Sequence, residues 1–252
     1  MESNRSQIMT IPGAIIIAGA LIALAVIWTQ KPATPKSPAP NTLVANQLAP
    51  INMSPISSAD HILGNPDAAI KIVEYSDPSC QYCKSFNPTM YRIMNEYGTS
   101  GKVAWIYRSF PFDQPDQNGD ILHPNAGRQS QGLECAASVG GNAKFWAYEK
   151  QWYDEFPEDQ THRSVELDQK EMVRIAKANN IDVVAFNECL SSSQFKSKVE
   201  SQFRDGLNAG VTGTPTSFII TPSGNTLTVV GAQPYAKIKS AIDTLLTSQN
   251  SK

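Results

Sequence analysis

The chain is poor in the residues that grip metals and polyanions. Its 252 residues include three histidines and four cysteines, and its formal net charge is −2. That balance gives no case for a nucleic-acid or strongly charged partner. A zinc module built on Cys80 and Cys83 would need a second close pair of ligands, and Cys135 lies more than about fifty residues further on. No metal site and no bound cofactor is therefore expected. No cysteine precedes Cys80, which excludes a lipid-modified N-terminal cysteine. No internal repeat is visible. Charge itself is missing from two stretches, residues 6–30 and 37–59.

The first uncharged stretch contains an almost wholly apolar run from Ile11 to Trp28. As a helix it would rise about 27 Å, at the short end of what spans a bilayer. A cleaved signal peptide and an uncleaved anchor both fit this pattern. A cut after Ala23-Leu24-Ala25 would fall inside the apolar run, and Trp28 suits an interface, so residues 1–30 read as an anchor. Arg5 and the α-amine on one side face Lys31 and Lys36 on the other, which argues orientation only weakly. Residues 31–59 carry Pro32, Pro35, Pro38, Pro40, Pro50 and Pro55, and read as a semi-extended tether. The folded domain is expected over 60–252.

What chemistry there is gathers at Cys80-Gln81-Tyr82-Cys83. Ile70 to Tyr75 reads as a buried strand stopped by Asp77-Pro78. Beyond the cysteines, Phe86, Met90, Ile93 and Tyr97 recur at helical spacing. Cys80 thus stands at a helix N-terminus, where free N–H groups and the dipole favour a thiolate, with Cys83 one turn on. Such a pair is a redox switch or half of a zinc site. A second stretch, Val211-Thr212-Gly213-Thr214-Pro215-Thr216, precedes a strand at Ser217 to Ile220, a turn at Pro222 to Asn225 and a strand at Leu227 to Val230. Glu74 is a carboxylate in an apolar strand. It either points to solvent or is buried with a raised pKa, and in the second case it can pass a proton to or from Cys83.

Together these residues resemble the thioredoxin superfamily, and within it the DsbA-like extracytoplasmic thiol–disulfide oxidoreductases. The matches are Glu74 six positions before Cys80, the Cys80–Cys83 pair, Pro88 in the following helix, and Thr214-Pro215. The resemblance covers roughly residues 60–250. It implies an α/β thioredoxin-like fold with a helical insertion at about 114–209, and a cis Pro215 that faces the disulfide. It implies that Thr214 and Pro215 shape the peptide groove and that Gln81 and Tyr82 tune the redox balance. In the mechanism a substrate thiolate attacks Cys80, and a second substrate thiol resolves the mixed disulfide, leaving a reduced Cys80–Cys83 pair. In the oxidising compartment so implied, Cys135 and Cys189 stay as two buried thiols or pair as a structural disulfide, and pairing is expected. Closing that loop would contribute roughly 4 kcal/mol in the chain-entropy model. The expected partners are reduced or unfolded exported proteins, a membrane quinone-linked thiol reoxidase, and the membrane itself through the N-terminal helix. A single-pass monomer with its catalytic domain outside the cytoplasm is expected.

Other readings stay open. A reductase or isomerase would use the same residues, although an isomerase of the DsbC type has its own dimerisation domain, for which the segment before Asp60 is too short. A metal-binding module or a chaperone-like anchored domain would not need both motifs. The Gln-Tyr dipeptide is not typical of the best-known members and leaves the direction of electron flow open. Phe145, Tyr148, Trp152 and Phe156 form a stripe read as core packing first and substrate groove second. Asp168 to Glu171 has the form of a capping box opening a helix that ends near Asn180. His61 and His162 read as solvated, His123 as the start of a helix first and as a group facing the active site second, and Lys84 as a surface lysine or a charge beside the thiolate.

Overall fold

The computed structural model describes residues 51–155 and 164–249. The expected anchor, most of the tether, His162 and Phe156 lie outside the described residues. Among the described residues, no helix is long and apolar enough to cross a membrane.

Five strands form one sheet: β1 (His61–Gly64), β2 (Ile70–Ser76), β3 (Val103–Ser109), β4 (Thr216–Ile220) and β5 (Thr226–Val230). Their order is β1-β3-β2-β4-β5, with β2 and β3 parallel and every other pairing antiparallel. The parallel pair needs a crossover, which helix α1 (Gln81–Ile93) and its continuation as a π turn (Met94–Gly98) supply. β2 is central and covered on both faces, which is why it reads as a nearly continuous apolar run. Ile70, Ile72, Trp105 and Tyr107 face a large core shared with Phe86, Met90 and Ile93 of α1 and with the C-terminal helix. Val73, Tyr75, Ala104 and Ile106 face a smaller core on the opposite side.

Between β3 and β4 runs the helical insertion: α2 (Ala126–Gly140), α3 (Asn142–Glu155), α4 (Val165–Ala178), α5 (Val183–Ser192) and α6 (Lys196–Asn208). Helix α7 (Tyr235–Gln249) closes the chain. Phe145, Tyr148 and Trp152 of α3 are buried, so the described part of the aromatic stripe is core. Cys135 on α2 is bonded to Cys189 on α5, with Cα atoms 5.8 Å apart. Helix α6 crosses the second face, where a Cβ on Gly206 would come within 2.5 Å of the Phe110 ring and 2.9 Å of Tyr75.

Two expectations need correction. Helix α4 does not open at Asp168 but one turn earlier, where the Ser164 hydroxyl accepts from the Leu167 N–H at 3.2 Å. Asp168 shares the inward stripe with Met172, Ile175 and Ala176, and it accepts from Gln129 Nε2 at 2.7 Å. Its carboxylate is used in tertiary contact, so it is not the cap. His61 is not solvated either. Its ring stacks on Phe145 with centroids 3.8 Å apart and meets Glu134 at 2.8 Å, where Lys198 joins from α6. These partners come from distant helices, and the polar residues around His61 in sequence give no sign of them.

The fold also reaches back before Asp60. Ile51, Met53 and Ile56 pack on the second core, and the buried Arg108 of β3 ties the segment down. Its guanidinium donates to Asp60 at 2.8 Å, to Asp205 at 2.7 Å and to the Ser54 carbonyl at 3.0 Å. The Tyr75 hydroxyl also bonds to Asp205.

Candidate active site

The turn from β2 to α1 explains where the cysteines stand. The Asp77 carboxylate accepts from the Ser79 N–H at 2.7 Å, and the Cys80 N–H bonds back to the Asp77 carbonyl at 3.0 Å. Cys80 then takes the N-cap position of α1 with an extended backbone, and its carbonyl accepts the first helical bond from Lys84. The cap has no side-chain hydrogen bond and the first turn carries no acidic residue. The positive end of the helix is thus left for the thiolate.

The two sulfurs differ sharply. Cys80 is 7% exposed, and its pKa is pulled from 9.0 to about 6. A hydrogen bond from Cys83 does most of this, opposed by burial and by the Asp77 charge and aided by Thr214. Cys83 is fully buried and its pKa is pushed well above 9.0, first by burial and then by the neighbouring Cys80. Its Sγ accepts from the Asp77 N–H at 3.4 Å. In this reduced state both thiols are free.

Glu74 sits in β2 beside Tyr107 and Ser217 and is 2% exposed. Burial lifts its pKa from 4.5 to about 7, against the Ser76 and Trp105 side chains, and the charge on Cys80 adds a little. Its Oε2 has no hydrogen-bond partner. The side chain therefore points inward, toward the face that carries Cys83. The Thr214–Pro215 bond is cis, and the Cys80 thiol meets the Thr214 carbonyl at 3.5 Å. Gln81 and Tyr82 point outward, Tyr82 with 59% of its surface exposed. Cys80, Cys83, Glu74, Thr214 and Pro215 are thus brought together, whereas Cys135 and Cys189 staple the insertion. Among the described residues, no group of His, Cys, Asp and Glu is placed to hold a metal ion.

Several groups at the site have no local motif. His123 does not start a helix, since α2 opens at Ala126. Its Nδ1 meets Asp77 Oδ2 at 2.7 Å, with 12% of its side chain exposed. The Ser79 hydroxyl donates to Gln129 of α2 at 2.6 Å, and Trp152 of α3 donates to the Pro78 carbonyl at 3.0 Å. Tyr153 reaches both Ser76 and Tyr107 at 3.1 Å. The insertion therefore holds the active-site turn from behind. The one sequence signal for His123 was its place beyond β3, at the same sheet end as Cys80.

A thioredoxin family model matches residues 57–244. The chain is similar to the "Probable disulfide bond formation protein D" of Bacillus anthracis, 29% identical over 190 residues that cover 74% of this chain and 78% of that protein. It is also similar to the "Na(+)/H(+) antiporter NhaA 1" of Mycolicibacterium gilvum, 25% identical over 206 residues. Those residues are 81% of this chain but only 30% of the antiporter's length. In structure it resembles oxidised BdbD from Bacillus subtilis, with TM-score 0.64 and 19% identity, covering 79% of this chain and 98% of that one.

Proposed function

This chain belongs to the thioredoxin family, and we propose that it is an extracytoplasmic thiol–disulfide oxidoreductase that introduces disulfides into exported proteins. The observation that carries this reading is a thiol at the N-cap of α1, Cys80, 3.5 Å from the carbonyl at the cis Thr214–Pro215 bond, with the buried Cys83 one helical turn on.

In the oxidised enzyme a substrate thiolate attacks Cys80 Sγ. The Cys80–Cys83 bond breaks and Cys83 leaves. Cys83 is the stronger base and takes a proton, which Glu74 is placed to supply. A second substrate thiolate attacks the substrate sulfur of the mixed disulfide and expels Cys80 as a thiolate. The substrate has lost two electrons and the Cys80–Cys83 pair has gained them. Stabilising the Cys80 thiolate stabilises the reduced form and so makes the oxidised form a better oxidant. Pro215 and Thr214 border Cys80 and shape the groove for the substrate chain, with Gln81 and Tyr82 on its outer rim. The Cys135–Cys189 bond plays a structural part.

The printed name of the Bacillus anthracis relative supports disulfide formation as the direction of flow. The apolar run at 1–30 supports a single-pass anchor, with residues 31–59 as tether and the domain from 60 onward outside the cytoplasm. Electrons would then pass to a membrane quinone-linked reoxidase, and the enzyme would work as a monomer. The test is a stoichiometric one. Oxidised protein mixed with a reduced, unfolded substrate should transfer one disulfide per molecule, and Cys80→Ser should transfer none. Equal transfer by Cys80→Ser would end the redox reading.

A further inference from the structure

We propose that His123, clamped by Asp77, is the positioning residue that supplies the positive charge facing the Cys80 thiolate. The proposal rests on the dithiol-exchange reading above and adds to it a residue outside the Cys80–Cys83 motif.

Asp77 is the hub of the site. Its side chain is fully buried, and it accepts from the Ser79 N–H at 2.7 Å, the Phe112 N–H at 2.8 Å and His123 Nδ1 at 2.7 Å. Its backbone N–H donates to Cys83 and its carbonyl accepts from Cys80. One residue thus joins both cysteines to the loop that follows β3. The carboxylate fixes the turn, but its charge opposes a second anion at Cys80. A cation on the same carboxylate removes that opposition, and His123 is the titratable group in contact with it.

Both neighbours favour the charged imidazole. Burial works against protonation of His123, but the Asp77 hydrogen bond, the Asp77 charge and the Cys80 charge together raise its pKa above 6.5. With Nδ1 bonded to Asp77, the protonated ring keeps Nε2–H as a second donor. Asp113, in the same loop, has its pKa raised first by burial and further by the Asp77 charge, with Lys196 pulling the other way. The Phe112 ring packs edge-on to the imidazole at 6.3 Å. Cys80 has no side-chain cap of its own and Gln81 and Tyr82 are uncharged, so the motif itself brings no cation between its cysteines. During exchange the electron pair of the breaking substrate–Cys80 bond settles on Cys80 Sγ while His123 keeps its proton. No proton need arrive at that sulfur. As pH rises through the raised His123 pKa, the compensation is lost and the reduced form loses stability.

The test uses the full chain with Cys135–Cys189 left oxidised. The rate of Cys80 alkylation is followed against pH by peptide mass spectrometry, beside the equilibrium constant with glutathione. His123→Gln keeps a hydrogen bond to Asp77 without the charge. It should raise the Cys80 midpoint by about one pH unit and move the glutathione equilibrium about tenfold toward the oxidised enzyme, or roughly 30 mV. His123→Lys should hold the midpoint low. An unchanged midpoint and equilibrium in His123→Gln, with only a lower melting temperature, would reduce His123 to a structural role and overturn the proposal. A raised midpoint that His123→Lys fails to restore would overturn it as well. In both cases a wild-type protein that equilibrates with glutathione leaves the dithiol-exchange reading standing. A wild type that does not equilibrate would sink that reading instead.

Discussion

Replacing Glu74 with Leu should make the protein more stable at high pH while slowing its chemistry. The wild-type carboxyl titrates near 4.5 when unfolded and at about 7 when folded, because burial disfavours the anion. The sign follows from that direction. A carboxyl raised by folding costs nothing well below 4.5, costs more as pH climbs between the two values, and costs its full amount above about 7. At about 1.4 kcal/mol for each tenfold, the full cost is about 3 kcal/mol. Leu removes the charge, and the Ser76 and Trp105 side chains that favour the carboxylate are outweighed by its burial. The difference between Glu74→Leu and wild type should therefore grow in the variant's favour by about 2–3 kcal/mol between pH 5 and pH 8. For a domain of this size that is about 4–12 °C in melting temperature. Thermal melts of both reduced proteins at the two pH values measure it, and comparing variant with wild type at each pH cancels the titration of His123 and leaves of Cys80 only its small coupling to Glu74. At pH 7 disulfide transfer by the variant should be slower, because Cys83 leaves without a neighbouring proton store. A variant less stable than wild type at pH 8, or a gap that does not change with pH, would refute the buried-acid reasoning.

Other outcomes follow from the same geometry. Cys83→Ser leaves Cys80 without its internal partner, so attack of the Cys80 thiolate on a disulfide-bearing substrate, which expels one substrate thiolate, should leave a mixed disulfide that no second enzyme thiol resolves, visible as a reductant-sensitive adduct on a gel. Cys135→Ala with Cys189→Ala should lower stability by roughly 4 kcal/mol in the chain-entropy model for a separation of 54 residues, with exchange activity retained in the folded fraction. Arg108→Met leaves the Asp60 and Asp205 carboxylates without their shared cation in buried surroundings and should cost about 3–5 kcal/mol by denaturant unfolding. That loss would also free the segment around Ser54 and Pro55, read as faster proteolysis there.

The parts of the fold legible in the sequence were those encoded by local pattern. The β2 run and the helical spacing after Cys83 both involve residues close along the chain, where pleat and helix period act directly. The position of Glu74 before Cys80 was visible too, although only the parallel register with β3 decides that its side chain points inward. What escaped was assembled across the fold. His61 needed Phe145, Glu134 and Lys198 from three helices, and only Asp77, in the turn after β2, decides for the second reading of His123 over the first. Asp168 was misread as a cap because a carboxylate near a helix start looks alike whether it bonds its own backbone or Gln129 of α2. The backward reach of the domain to Ile51 was hidden for a related reason, since its anchor is Arg108 of β3.

The reduction potential of the Cys80–Cys83 couple in the full chain, with Cys135–Cys189 left oxidised, tests the central claim most directly. A thiolate stabilised at Cys80 predicts a value of about −120 to −180 mV, with oxidants and isomerases, and the donor-of-disulfides reading then stands. A value of about −270 mV would contradict the oxidase reading and make the protein a reductase acting through the same two sulfurs.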